Sequence, residues 1–238
     1  MNILAIIPAR SGSKGIKNKN IRLFNNLPLI AHTILCTKKS KNITRIIVST
    51  DSNDIADISC KYGAEVPFLR PKKLSQDSSS IIGVVEHVLR ELRDTEGYVP
   101  DNIMLLQPTS PLRNTNDINK SILLFKQKKA DAVVSICGTE NLLFNKDKKN
   151  QIKVLNKEFL NNSNRQKLEK MYKLDGSMIF LIKTSVFLKN RSFFTGKLFG
   201  YEIERWRAID LDEPQDFVIG ELIHKNIRKI ESCIKNFK

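Results

Sequence analysis

Residues 1–20 read MNILAIIPARSGSKGIKNKN. The stretch LAIIPA (4–9) has the unbroken apolar character of a strand buried on both faces. The chain then turns polar. PARSGSKGIKNKN (8–20) holds two glycines, one arginine and three lysines, and no acid. Open parallel sheets bind ligands at the carboxyl ends of their strands, which is where this loop falls. Glycine lets backbone N–H groups approach phosphate oxygens, and Arg10, Lys14 and Lys19 can neutralise their charge. The spacing is neither G-x-x-x-x-G-K-[ST] nor G-x-G-x-x-G, so the loop is a different phosphate binder or a solvated basic turn.

Outward from this loop the pattern alternates. Strand-like runs stand at 45–51 (RIIVSTD), 65–70 (EVPFLR), 102–107 (NIMLLQ) and 131–136 (DAVVSI). Helical spacing occupies 28–39, 53–63, 79–94 and 116–129, with Gly63 as a terminator and serines before residue 81 as caps. This β-α-β-α repetition predicts an α/β fold with a mostly parallel, twisted sheet and helices on both faces. Residues 138–170 break the pattern, being polar, rich in Asn and Lys and weakly periodic, and read as an excursion or arm. GSMIFLI (176–182) restores a strand, YEIERWRAID (201–210) is strand-like up to an acidic turn, and 214–236 form a basic amphipathic helix. The whole of 1–238 fits a single domain.

With 40 Lys+Arg against 25 Asp+Glu the net charge is +15, which attracts polyanions. Nucleic acid is one such partner, but aromatics are only 7% and sit mostly in apolar runs, not interleaved with basic residues. No apolar run reaches membrane-spanning length and the first residues lack a signal peptide's basic start. Cys36, Cys60, Cys137 and Cys233 are scattered, without a CxxC pair, as expected of a reduced cytoplasmic protein. His32, His87 and His224 stand in no triad-like arrangement, and His87 falls inside a helical stretch.

IIPARSGSKGIKNKNI resembles the amino-terminal motif of the acylneuraminate (sialic acid) cytidylyltransferases, the enzymes of CMP-activated acidic sugars. VSTDSNDIADISCKYGAEVPFLRP, LSQDSSSIIGVVEHVL, LLQPTSPLR, the RQ and FF pairs and IDLDEPQDF resemble further motifs of that family in the same order, through nearly the whole chain. The resemblance implies a Rossmann-like nucleotidyltransferase that moves CMP from CTP to the anomeric hydroxyl of a nine-carbon acidic sugar and releases pyrophosphate. N-acetylneuraminate is the nearest match, with CMP-legionaminate, CMP-pseudaminate or CMP-Kdo synthesis as the alternative. It also implies a homodimer joined through the 138–170 arm.

By this resemblance Arg10, Ser11, Gly12, Ser13 and Lys14 wrap the triphosphate and Lys19 reaches it, while Asn20, Arg70 and Ser80 contact cytosine or ribose. Ser11 stands where the family commonly has glycine, still offering its backbone N–H. In LLQPTSPLR the prolines fix a rigid turn that presents Gln107, Thr109 and Ser110 as neutral groups suited to a hydroxylated sugar; a capped turn is the alternative. Arg165, Gln166, Asp175, Phe180, Phe193 and Phe194 are implied for the sugar, with core packing the other role for the phenylalanines. Asp175 precedes Gly176 where the family often has Asn-Gly. Asp210 and Asp212 alternate on what reads as a strand end and so share one face. The resemblance assigns them Mg²⁺, or another divalent cation such as Mn²⁺; a helix cap and salt bridges to lysines are the alternatives. Asp216 reads as a cap or dipole partner of the last helix.

Overall fold

A computed structural model describes residues 1–13, 15–140, 143–155, 170–174 and 178–237. Strand β1 (Ile3–Pro8) is central. It pairs in parallel with β4 (Arg45–Ser49) on one side and β5 (Asn102–Leu105) on the other. Beyond β5 come β10 (Phe180–Lys183), β6 (Ala132–Thr139) and β11 (Leu198–Glu202), with β9 (Met171–Leu174) on the far part of β6. Strands β4, β1, β5, β6 and β11 run one way and β10 and β9 the other, giving a mostly parallel seven-stranded sheet.

The period of two in β1 divides the core. Ile3, Ala5 and Ile7 face one layer, with Ile30 and Ile34 of α1 (Leu29–Lys38), Ile55 of α2 (Asn53–Tyr62) and Ile118 and Ile122 of α4 (Thr115–Gln127). Leu4 and Ile6 face the other, with Val85, Val88 and Leu92 of α3 (Ile81–Glu96) and Phe187 of α5 (Thr184–Asn190). Helices therefore cover both faces. Their ends obey local chemistry. Ser52 caps α2 and Gly63 ends it at φ 96, while Asn114 and Asp117 form a capping box on α4. Ahead of α1, Asn25 and Asn26 adopt left-handed conformations and turn a small hairpin, β2 (Leu23–Phe24) and β3 (Leu27–Pro28).

Three expectations about elements change. EVPFLR is not a strand: only Glu65 bridges to Ile47, and Pro67 has no N–H to extend the ladder. The excursion starts after 138, because β6 runs to Thr139; a separate exposed hairpin follows, β7 (Phe144–Lys146) and β8 (Ile152–Val154). YEIERWRAID is extended only to Glu202. The Arg207 guanidinium then folds inward onto Asp117, at 2.6 and 2.8 Å, and onto Glu204, making a 3-10 turn at Arg205–Arg207. Asp210 and Asp212 therefore lie in a loop before α6 (Pro214–Asn236) and not on a strand face.

The histidines are packed, as expected for His87, which meets Phe68 edge-on. His32 bonds the Phe24 carbonyl at 2.8 Å and its ring meets that of His224. Burial lowers the pKa of all three.

Candidate active site

The carboxyl ends of β1, β4 and β5 meet at one edge of the sheet. Ala9 N–H donates to Ser49 O, and Leu106 N–H to Ile6 O. The order of connection reverses here, since the chain leaves β1 for β4 on one side and returns to β5 on the other. Such a switch point opens a crevice. A cleft of about 560 Å³ occupies it, and its walls bring together Arg10, Ser13, Lys19, Asn20, Arg70, Gln107, Thr109 and Asp212.

The first loop is held from three directions. The backbone N–H and the hydroxyl of Ser11 both donate to the Asp51 carboxylate at 2.9 Å, so that N–H serves the loop and is not turned to a ligand, contrary to expectation. Asn20 Nδ2 donates to Arg10 O at 2.9 Å, which fixes the strand exit. Gly15 packs so closely on the acidic turn that a Cβ there would overlap the Asp212 carbonyl oxygen. Gly15→Ala is expected to push loop and turn apart and lower kcat/KM about tenfold, a misplacement effect, with the melting temperature little changed. Steady-state kinetics beside a thermal melt check this, and wild-type kinetics would show that the contact does not matter. Gly12 and Ser13 line a shallower recess that continues outward from the cleft. Lys14 lies outside the described residues.

Among the described residues three cations face the cleft. Arg10 pairs with Asp77 at 2.6 Å and Lys19 with Asp212 at 2.9 Å. Arg70 is buried, and its Nε and Nη2 donate to the hydroxyl and carbonyl of Ser49. Both partners are neutral, so burial pushes the guanidinium down to about 10, against the pull of Asp51. It remains protonated at neutral pH, a desolvated positive charge on the cleft wall. Ser80 is elsewhere: its hydroxyl accepts the Ile82 N–H as the cap of α3, and Ser79 lines the cleft in its place.

On the opposite wall the LLQPTSPLR turn contributes Gln107, Pro108 and Thr109. Ser110 is fully buried behind them. Arg113, the motif's last residue, clamps the turn by donating to Gln107 O, Thr33 Oγ1 and Met178 O at 3.1, 2.6 and 2.6 Å. Leu211 N–H donates to Thr109 O and brings the acidic turn alongside. There Asp210 is pushed up to about 6 by burial and by the neighbouring Asp212 charge. The Thr109 hydroxyl opposes that shift without reaching hydrogen-bond geometry, so Asp210 Oδ1 and Thr109 Oγ1 are both buried without a partner among the described residues. Asp212 is 69% exposed and, among the described residues, its side chain bonds Lys19 alone. The capping box of α6 is made by Glu213 and Asp216, which bears out the cap role of Asp216 and removes that role from Asp212.

The phenylalanines do not enter the cleft. Phe180 and Phe193 pack with Phe187 and α3 in the core, and Phe194 is surface-exposed, with its ring 5.9 Å from Phe180. Arg165, Gln166 and Asp175 lie outside the described residues. Among residues the sequence did not single out, Asp51, Asp77, Gly15 and Arg113 build the site. Asp51 ends the second strand run and Arg113 ends a motif, and position alone could have marked both.

A family model described as cytidylyltransferase matches residues 4–217. The CMP-N,N'-diacetyllegionaminic acid synthase of Legionella pneumophila is 36% identical over 233 residues, covering 93% of this chain and 95% of that protein. The N-acylneuraminate cytidylyltransferase of Escherichia coli O18:K1:H7 is 32% identical over 235 residues, covering 96% of this chain and 54% of that protein. The solved structure of CMP:2-keto-3-deoxy-manno-octonic acid synthetase complexed with CTP shares the fold, with a TM-score of 0.69 at 13% identity over 95% of this chain and 99% of that one. With the family model spanning most of its length and such relatives aligned along nearly all of it, the chain belongs to the cytidylyltransferase family, among the CMP-nonulosonic acid synthetases.

Proposed function

We propose that this enzyme transfers CMP from CTP to the anomeric hydroxyl of a nine-carbon acidic sugar, releasing pyrophosphate. The observation that carries this is the convergence of Arg10, Lys19 and buried Arg70 on one cleft at the switch point of the sheet. Neuraminate and diacetyllegionaminate are both candidate acceptors. The legionaminic acid synthase aligns nearly end to end with this chain, which makes that sugar at least as good a match as neuraminate.

The chain's own groups account for phosphate handling. The sugar hydroxyl attacks the α-phosphorus and pyrophosphate leaves, so charge spreads over the phosphate oxygens. Arg10 and Lys19, near the two ends of the loop, offset that charge, with Lys14 as a further cation of the same loop. Arg70 and Asn20 stand deeper, where a pyrimidine's acceptor atoms meet fixed donors. Gln107 and Thr109 offer neutral groups to sugar or ribose hydroxyls.

The residues at the acidic turn fit a hard divalent cation. Among the described residues Asp210 Oδ1 is a buried carboxylate oxygen without a hydrogen-bond partner, Asp212 lies beside it, and no third acid, His or Cys completes a cage. Mg²⁺ takes one or two carboxylates and completes its shell with water and phosphate. Asp210 and Asp212 would hold Mg²⁺ or Mn²⁺, which when bound supplies charge neutralisation to the phosphates.

Residues 1–238 would act as one catalytic domain, and the exposed hairpin with Phe144, Ile152 and Leu155 on its surface supports a homodimer joined through that arm. Among the described residues no helix is long and apolar enough to cross a membrane. The test is pyrophosphate release from CTP, UTP, ATP and GTP, each with neuraminic, diacetyllegionaminic, pseudaminic and Kdo acceptors. Turnover is expected with CTP and one nonulosonic acid. Comparable turnover with UTP would overturn the cytosine assignment of Arg70 and Asn20.

A further inference from the structure

Among the described residues, the two cations at the mouth of the cleft are paired with the chain's own acids. Lys19 holds Asp212, which already has a proposed duty, and Arg10 holds Asp77, which has none. Asp77 belongs to the segment between the 3-10 turn Lys72–Leu74 and α3. Its carboxylate lines the cleft and also the outer recess shared by Arg10, Gly12, Ser13, Ser75 and Gln76. The Arg10–Asp77 pair is thus a crossbar between the two spaces. Nη1 of the same guanidinium meets Ser75 O only at 3.5 Å, the limit of a hydrogen bond.

We infer that Asp77 is a specificity-determining residue for the nucleotide phosphate: its carboxylate occupies the edge of Arg10 that a phosphate takes, and the ligand must displace it. This rests on the cleft being the CTP site. A triphosphate entering beside a carboxylate meets a like charge, and the guanidinium can satisfy only one of them along that edge. Bonds within the segment keep its shape when the pair opens. Gln76 N–H donates to Ser79 Oγ, Ser79 Oγ to Lys73 O, and Ser79 N–H to Gln76 O. Asp77 therefore lowers the affinity of every ligand whose phosphate must exchange the pair, relative to a ligand that carries no phosphate, and it hastens release of a monophosphate.

The two side chains are 30% and 41% exposed, and an ion pair so solvated is worth about a fivefold change in binding. Isothermal titration of the full chain and of Asp77→Asn with CTP, CMP and cytidine tests this. Asp77→Asn is expected to bind CTP and CMP about fivefold more tightly and cytidine unchanged, with Asp77→Glu close to wild type. Asp77→Ser repeats the measurement with a smaller side chain. Weaker CTP binding would mean that Asp77 orients Arg10 for phosphate, and unchanged binding that the pair is incidental. An equal gain for cytidine would mean that the loop alone matters. Any of the three overturns the inference. A wild-type chain that binds no CTP removes the proposed function and this inference with it. A wild-type chain that binds CTP, with no gain in the variant, removes the inference alone.

Discussion

Asp212→Asn is expected to lower turnover at least about 10²-fold and to shift the Mg²⁺ titration to higher concentration, while the melting temperature barely moves. Asparagine keeps the shape and one acceptor oxygen and loses the charge that an octahedral hard cation depends on. The rival roles for Asp212 predict much less. Helix capping belongs to Glu213 and Asp216. The Lys19 contact has one end 69% exposed, and solvent screening limits such a pair to about 0–1 kcal/mol of stability. A small stability change beside a large catalytic loss therefore separates metal binding from a salt bridge. Wild-type turnover with an unchanged Mg²⁺ titration in folded Asp212→Asn protein would remove the cation from the acidic turn.

Arg10→Ala is the second large effect. It should cost about 10²-fold or more in kcat/KM, roughly 3 kcal/mol of transition-state stabilisation, as expected for a preorganised donor on a transferring phosphoryl group. Arg10→Lys should recover only part, since an ammonium cannot reproduce the two-pronged contact of a guanidinium. Both variants should fold, because the Arg10 side chain, among the described residues, bonds the exposed segment with Ser75 and Asp77, and the Asn20 contact is to its backbone carbonyl. Steady-state kinetics with a melting curve decide it: near-normal kcat/KM in a folded Arg10→Ala enzyme would mean that the opening loop does not meet phosphate.

What the sequence made legible was local. The apolar run of β1 announced a buried strand because burial on both faces leaves no polar position. Ser52 and Gly63 announced the ends of α2 because capping depends on neighbours within one turn. The cleft residues of the first loop were legible for the same reason. The failures are long-range. Ser11 looked available for a ligand because Asp51, its partner, is 40 residues away and arrives through β4. Asp210 and Asp212 looked like strand neighbours because nothing near them announces that Arg207 turns the chain onto Asp117, 90 residues earlier. Phe193 and Phe194 are adjacent in sequence, yet one fills the core and the other faces water, a division decided by α5 packing.

The acidic turn touches the opening loop through Lys19 and Gly15, and Phe217 of α6 packs edge-on against Phe24. The Lys19–Asp212 contact joins residues 193 apart in the chain. During synthesis the basic loop thus leaves the ribosome 193 residues ahead of its acidic counterpart. Closing so distant a contact carries a loop-closure entropy cost that only the finished sheet can offset. A nascent or prematurely terminated chain can hold most of the sheet and still lack the turn that completes the catalytic cleft, so activity is withheld until translation has passed the start of α6.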